Sequence, residues 1–465
     1  MKRGLTGFIA LMLTIMILVA GCNSGNNSGS AVNSNSGQNK EPVEIEFMAT
    51  QPEWAQQEQE IWTQYQAENP HVKIKVVSFN EDQMSTLRAR IAAGNAPHLG
   101  FSVSTSWNFS SEYKNFTNLL DIDWPHFDLM NFDVKAESSK ASSIDNYLPV
   151  LPTLTGLYWS FVYYEDLMKE TGLDPKQIST WDDLDKFLAD FKAWNDQNKA
   201  YDYIIDTAWH SWVYGLNMPN LIGTSLGGSE ETYTDMYTGK KKWTDNLDEN
   251  PAALFFEKWK EYYDKGYLPD KWWTRAWEAD MESTLISKKS MLTIHGPWIW
   301  DKILAANPSA KLAGFPIPAH NGIVATTPVD FLNGDVIFAG HEDKPIFEEV
   351  KKAFYWWTSP EILLQRADIS SQVPTLEFEG ELSVNTPQFK GFVIPLLDGE
   401  YGDIEFSTEN WADLAASKYK IAGKPDVIND DANATIVGKY MEGSVSIEQL
   451  MEHFQTRWAD GYKIE

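Results

Sequence analysis

Residues 71–103 read HVKIKVVSFNEDQMSTLRARIAAGNAPHLGFSV. Val72, Ile74 and Val76 alternate with polar or smaller neighbours, the two-residue period of a half-buried strand. A helix is predicted over 84–93, and Gly94-Asn95-Ala96-Pro97 behind it supplies a C-cap and a proline stop. The apolar LGFSV then reads as another strand. Working outward, VEIEFM at 43–48 alternates apolar and acidic residues. Residues 52–67 carry Trp54, Ile61, Trp62 and Tyr65 at helical spacing before Asn69-Pro70 stops them. Strand, helix, strand, helix, strand in that order implies a parallel sheet with helices on its faces.

The rest of the chain repeats this logic. GLYWSFVYY at 156–164 is extended and apolar, and a short helix is predicted over 165–171. Thr180 reads as an N-cap with Asp183 three residues on, opening a helix through Phe187, Leu188 and Phe191 to Trp194. Pro251 starts a long helix to Lys265, followed by Gly266. In SMLTIHGPWIW, 290–300, residues 291–294 form a buried strand, Gly296-Pro297 breaks it, and 301–306 are helix-like. VDFLNGDVIFAG at 329–340 has the character of a strand pair broken by Gly334. A helix over 345–358 is expected to end at Ser359-Pro360, and 411–458 are expected to be mostly helical. No repeat of fixed period appears, so the reading is two α/β lobes rather than a solenoid.

The ends and the composition set further bounds. Lys2 and Arg3 precede an apolar run over 5–20 that closes on Leu-Val-Ala-Gly-Cys at 18–22, the pattern of a secretory signal. That run is short for a spanning helix, which needs about 20 apolar residues. Cys22 is the only cysteine among 465 residues, so no disulfide is available within one chain. LVAGC resembles a bacterial lipobox, whose cysteine carries a diacylglycerol, and two acyl chains anchor stably. Residues 23–40 are almost wholly Asn, Ser and Gly and read as a flexible tether. A net charge of −28 argues against nucleic-acid binding through phosphates. Twenty tryptophans are more than a core requires, and the surplus points to flat-faced ligands.

Five blocks in order resemble the extracellular solute-binding proteins of bacterial ABC sugar importers, the maltose-binding-protein-like family 1. QYQAENPHVKIKVVSFNEDQMSTLRARIAAGNAPHL resembles its first helix, second strand and AAGxAPD turn, with His98 where Asp is usual. LPVLPTLTGLYWSFVYYEDLMKETGLDPKQISTWDDLDKF resembles its crossing strand, YNKDLxxKAGL and TWDEL, with Glu165 where Asn is common. SKKSMLTIHGPWIWDKI resembles GKAAMxINGPWxW, and TSPEILLQRADISSQVPTL resembles SPExQxxxxxxGxxP. YMEGSVSIEQLMEHFQTRW is similar to the closing helices. The resemblance implies an α/β, two-lobe periplasmic-binding-protein (Venus-flytrap) fold with lobes discontinuous in sequence. Its divisions would be a signal peptide at 1–21, a tether at 22–40, an N-lobe at 41–150 returning at 329–376, and a C-lobe at 151–328 ending in helices at 377–465. It implies a monomer, without cofactor, that closes on its ligand by hinge motion and docks on a membrane permease.

In open α/β sheets ligands bind outside the carboxyl ends of strands. Pro297 suits a first helical position, which places Trp298 within the first turn, and the resemblance matches Trp298 to a tryptophan that stacks on a sugar ring. Trp300, two residues on, is expected in the core. Glu53 can accept sugar hydroxyls, and Trp54 either stacks or anchors its helix. Asn80 and Asp82 follow the second strand as ligand contacts or as helix caps. Trp107 follows the third strand and is the second stacking candidate. Trp209, Trp273 and Tyr158 are further aromatic candidates, and Asp335 is a ligand contact or a turn residue. Arg275 is the cation best placed for an anionic sugar; Arg88 and Arg90 lie on a helix.

Catalytic signatures are missing from the sequence: no G-x-S-x-G, no H-E-x-x-H, no P-loop and no loop with full Ca²⁺ ligand spacing. The expectation is a non-enzymatic, lipid-anchored, cell-surface carbohydrate-binding protein, with several aromatic faces favouring an oligosaccharide. The alternatives are a surface enzyme acting on oligosaccharides, which would turn its sugar over, and a sensor or adhesion module of the same fold.

Overall fold

The computed structural model describes residues 41–49, 52–78, 84–102, 107, 112–130, 146–155, 159–210, 213–237, 240–296, 299–320, 322–324, 334–370, 372–377, 390, 403–404 and 433–461. The opening stretch folds as its periodicity requires: β1 (Val43–Ala49), α1 (Pro52–Glu68), β2 (Val72–Ser78), α2 (Met84–Ala92) and β3 (Leu99–Ser102). β2 buries Val72 and Ile74 and exposes Lys73 and Lys75 between them, whereas all four residues of the inner strand β3 are buried. α2 closes on Gly94, whose φ of +74° lets its N–H reach the carbonyl of Ile91 at 2.9 Å. His98 accepts the Glu46 N–H on Nδ1 at 3.0 Å, an acceptor role that a carboxylate at this position could also fill.

Next along the chain come β4 (Leu154–Thr155), β5 (Ser160–Tyr164), α3 (Glu165–Thr171), α4 (Trp181–Asn198), β6 (Tyr203–Asp206), α5 (Met218–Ser225), α6 (Glu230–Tyr237) and α7 (Pro251–Asp264). α4 carries the predicted capping box, with Thr180 and Asp183 exchanging bonds across its first turn. A π-helical turn over Trp277–Glu282 leads into α8 (Ser283–Ile286), β7 (Ser290–His295), α9 (Ile299–Ala306) and β8 (Leu312–Pro316). β9 (Ile323–Val324), β10 (Gly334–Ile337), α10 (Phe347–Trp357), α11 (Pro360–Ser370), β11 (Val373–Pro374), β12 (Asp403–Ile404), α12 (Ala434–Met441) and α13 (Ile447–Gly461) complete the described elements. Among the described residues no helix is long and apolar enough to cross a membrane.

Two four-stranded sheets organise these elements. The first has the order β10-β3-β1-β2, with β1 parallel to β2 and β3, and β10 returning antiparallel along β3. The second has the order β6-β7-β5-β8, with β6 and β7 parallel and β5 antiparallel to both β7 and β8. β4 and β11 pair with each other in a separate two-stranded ladder. Over the first sheet, α1 and α10 lock together by aromatic packing: Trp62 stacks on Trp357 at 4.4 Å and 8°, and Phe47 sets its edge against both. In the second, Phe161 stacks on Phe315 at 4.9 Å, and α12 and α13 add Val437, Tyr440, Met441, Leu450 and Phe454 to its core.

The predicted helix over 345–358 stops at Ser359-Pro360 as expected: α10 spans Phe347–Trp357, and Pro360 then opens α11, where its missing N–H is not needed. Gly334 opens β10, and a Cβ there would lie 2.7 Å from the carbonyl carbon of Leu151 on the crossing chain; residues 329–333, the first half of the expected strand pair, lie outside the described residues. α5 escaped prediction because nearly all its residues are buried, which leaves no polar face to mark a helical period. In the C-terminal part, 411–432 lie outside the described residues, and α12 and α13 are helical as expected.

Candidate functional site

β1 ends at Ala49, shortly before α1 begins at Pro52, and Phe101 of its parallel neighbour β3 faces the same pocket as the first turns of α1. The first turns of α1 place Trp54 and Glu58 one turn apart on one face. They line a small pocket, partly open to solvent, together with Phe101 of β3, Leu154 of β4, Arg366, Ile369 and Ser370 of α11, and Gln372. Trp54 is half-buried there, and Glu58 is 7 % exposed. Neither Glu58 Oε2 nor Gln372 Oε1 has a hydrogen-bond partner among the described residues. Burial pushes the Glu58 carboxyl up to about 8, with Arg366 opposing that shift and Asp335 adding to it.

Arg366 does not offer its charge to the pocket. Its guanidinium grips Asp335 with both forks, Nη2 to Oδ1 at 2.9 Å and Nη1 to Oδ2 at 3.0 Å, and both side chains are buried. Trp357 Nε1 donates to Asp335 Oδ1 at 3.2 Å, Thr153 Oγ1 donates to Oδ2, and the cation sits 4.5 Å from the Trp357 ring centre. Asp335 also exchanges both backbone bonds with Leu151 at 2.9 Å. Asp335, expected as a ligand contact or a turn residue, here has its oxygens engaged in joining β10, the crossing chain and α11.

The carboxyl end of β7 carries a second polar cluster. His295 Nε2 lies 3.1 Å from Glu282 Oε1, Lys302 Nζ donates to Oε2 at 2.8 Å, and Trp277 Nε1 donates to Oε1 at 3.1 Å. The Trp277 ring packs at 5.0 Å on His295 and at 6.5 Å, edge-on, against Trp159. Burial alone would raise the Glu282 carboxyl, but His295 and Lys302 outweigh it and hold the group at about 2. A folded value below the unfolded one gives stability that is present above the unfolded value and lost as pH falls through the folded one. The stability gap between the parent and Glu282→Gln, read from urea midpoints, is expected to be about 2–3 kcal/mol near neutral pH and to close between about pH 4.5 and 2. A gap that stayed constant down to about pH 2.5 would refute the charge-based origin.

The predicted aromatic contacts separate into two groups. Trp107 is 3 % exposed, edge-on to Phe116 at 4.9 Å with the Arg88 cation 5.4 Å from its ring. Trp209 packs at 6.2 Å against Trp272, and Trp273 sets its edge to Tyr263 at 5.4 Å while Gly438 of α12 lies against its ring. These three belong to buried hydrophobic clusters. Trp300 is core, as its position two residues beyond Trp298 suggested. Arg275 is paired with the buried Asp206, and Arg88 and Arg90 with Glu112 and Glu46. Glu53 sits in the first turn of α1, but its side chain lies outside the described residues, as do Trp298, Asn80, Asp82, Tyr158 and Cys22. Glu58, Arg366 and Gln372 were not singled out from sequence. The usable signal was Arg366, a lone cation on the face of α11 that buries Ile362, Leu363 and Ala367.

The family model described as bacterial extracellular solute-binding protein matches residues 60–377. No curated protein matches the chain. Among solved structures, SBP RafE in complex with raffinose shares 16 % identity at a TM-score of 0.62, covering 90 % of this chain and 99 % of that one. A sugar transporter from Bacillus licheniformis in complex with stachyose shares 18 % at 0.56, covering 89 % and 98 %. An ABC transporter solute binding protein from Thermotoga lettingae bound with α-D-tagatose shares 15 % at 0.60, covering 90 % and 99 %. At these identities the likeness is one of fold.

Proposed function

The chain belongs to the bacterial extracellular solute-binding proteins, and from that premise we propose that it captures an oligosaccharide and delivers it to an ABC permease without chemical turnover. The observation that carries this reading is the pocket between the start of α1, β3 and α11. There Trp54 forms one wall, and the one cation among the described lining residues is already neutralised by Asp335. An apolar ring beside uncharged polar groups suits the C–H faces and hydroxyls of a pyranose. Proteins of the same fold bound to raffinose, stachyose and α-D-tagatose support a carbohydrate as the ligand class.

In this reading the mature chain hangs from a lipid on Cys22 by the tether at 23–40, outside the membrane. Residues 41–150 with 329–376 form one lobe, and 151–328 with 377–465 the other, with the β4–β11 crossing as the hinge. Trp54, Glu53, Asn80, Asp82, Tyr158 and Trp298 line the cleft, and Trp298 stacks on a ring from the second lobe.

Calorimetric titration with a panel of neutral oligosaccharides tests the reading. One sugar series is expected to bind at micromolar level or better, about −8 kcal/mol, and to be recovered uncleaved. Trp298→Ala is expected to weaken that binding at least about thirtyfold, roughly 2 kcal/mol. Undiminished binding would remove Trp298 from the site and leave capture standing. Cleavage of the sugar would replace capture by catalysis.

A further inference from the structure

Glu58 is a buried acid for which the fold itself has no evident use. Its helix has ample solvent-facing positions, yet this side chain is turned inward to 7 % exposure, and Oε2 meets no donor or acceptor among the described residues. The charged groups that face it are Arg366 from α11 and Asp335 from β10, and these satisfy each other with two parallel bonds. A buried carboxylate left without a counter-ion is costly, so the group is held as the neutral acid, which has one proton to give. In the same lining, Gln372 Oε1 is an acceptor with no donor among the described residues. A neutral donor and a neutral acceptor in one pocket, beside the indole of Trp54, match a group that both accepts and donates and carries no charge.

We propose that Glu58 is a ligand contact, donating its carboxyl proton to a hydroxyl of an uncharged polyhydroxyl ligand, and that it makes this pocket select against anionic ligands. This assignment rests on the capture reading above. An incoming carboxylate or phosphate would lose its hydration and find Arg366 already committed to Asp335, with no other cation among the described lining residues to compensate it. Ionising Glu58 would have the same effect from the protein side, since the pocket would then hold one unbalanced negative charge and no proton to donate. Capture therefore depends on the protonated form. With the carboxyl at about 8, affinity is flat below neutrality and falls as the acid ionises.

The test is a pair of titrations of the full chain in detergent micelles, using raffinose and stachyose as probes and a digalacturonate as the charged counterpart. The dissociation constant is measured from about pH 6 to 9.5, and thermal melts at each pH establish that the protein remains folded. The parent is expected to bind the neutral probe with constant affinity to about pH 7 and about tenfold more weakly by pH 9, with no detectable digalacturonate binding at any pH. Glu58→Gln keeps a donor that cannot ionise, so its affinity, whatever its value at low pH, is expected to stay within about twofold across the range. A flat parent profile, an equal fall in Glu58→Gln, or digalacturonate binding as tight as raffinose would overturn the assignment and leave capture intact. Absence of neutral-sugar binding at every pH would sink the capture reading, and this assignment with it.

Discussion

Asp335→Ala is expected to destabilise the fold by about 3–5 kcal/mol, the range for breaking a buried ion pair from one side. The cost comes less from the bonds removed than from the charge left behind. Arg366 is 4 % exposed, and without Asp335 its guanidinium would retain only the Trp357 carbonyl and the Trp357 ring as described partners. Thr153 Oγ1 and Trp357 Nε1 would lose their acceptor at the same time. A double replacement, Asp335→Leu with Arg366→Met, removes both charges and is expected to recover at least half of the loss, since a packed apolar pair needs no counter-ion. Urea unfolding of the parent, the single and the double variant separates these terms. A single variant within about 1 kcal/mol of the parent, or a double variant worse than the single, would contradict a buried-charge origin.

Gly223→Ala is the second large effect, and two opposing terms decide its sign. Alanine at a mid-helix position is favoured over glycine by about 1 kcal/mol. Against that, a Cβ on Gly223 would lie 2.6 Å from the Cα of Pro251 and closer still to its carbonyl, at the point where α5 crosses the start of α7. These are backbone atoms at a helix N-terminus fixed by Asn250, whose side chain caps Ala252 and Ala253. They cannot turn aside as a side-chain tip can, so the helices must separate. Overpacking of this kind costs about 3 kcal/mol or more and outweighs the gain in propensity. The melting temperature should drop by several degrees or more. The same change at Gly172, where nothing lies within 4 Å of the added carbon, meets only the strain of its φ of +71°, about 1–2 kcal/mol. Equal losses at the two glycines would show that the helix crossing is softer than its backbone packing implies.

What could be read from sequence was whatever leaves a local trace. The alternation of β2, the Gly94 stop behind α2 and the Thr180–Asp183 box all act within a few residues, and each was placed correctly. The partner of β3 was not legible, because Phe101 pairs with Asp335 through a ladder that no nearby residue announces. Asp335 beside Gly334 had the local look of a turn or ligand residue; only the fold shows Arg366 opposite it. Tryptophans posed a different difficulty. A ring that stacks on a sugar and a ring that fills a core need the same flat apolar surface, so Trp107, Trp209 and Trp273 could not be told from Trp54 by type. Glu58 was hidden by composition, since in the polar run AQQEQE it resembles a solvated helix face. Its distance of one turn from Trp54 turns it into the pocket.

The late return of β10 also bears on when this protein can fold. Trp124 reaches Thr358 across 234 residues, and the first sheet gains its fourth strand only when residues 334–337 exist. A growing chain that has made β1, β2 and β3 has an open edge on β3 and no α10 or α11 to cover Trp62. Such long-range pairing is slow to nucleate, because the intervening loop must be closed before any contact compensates for it. If the chain is exported as proposed, this late closure would keep it threadable until most of it has been synthesised. Shortening that separation, as a circular permutation joining the two halves of the first sheet would do, should speed folding and by the same stroke hinder export.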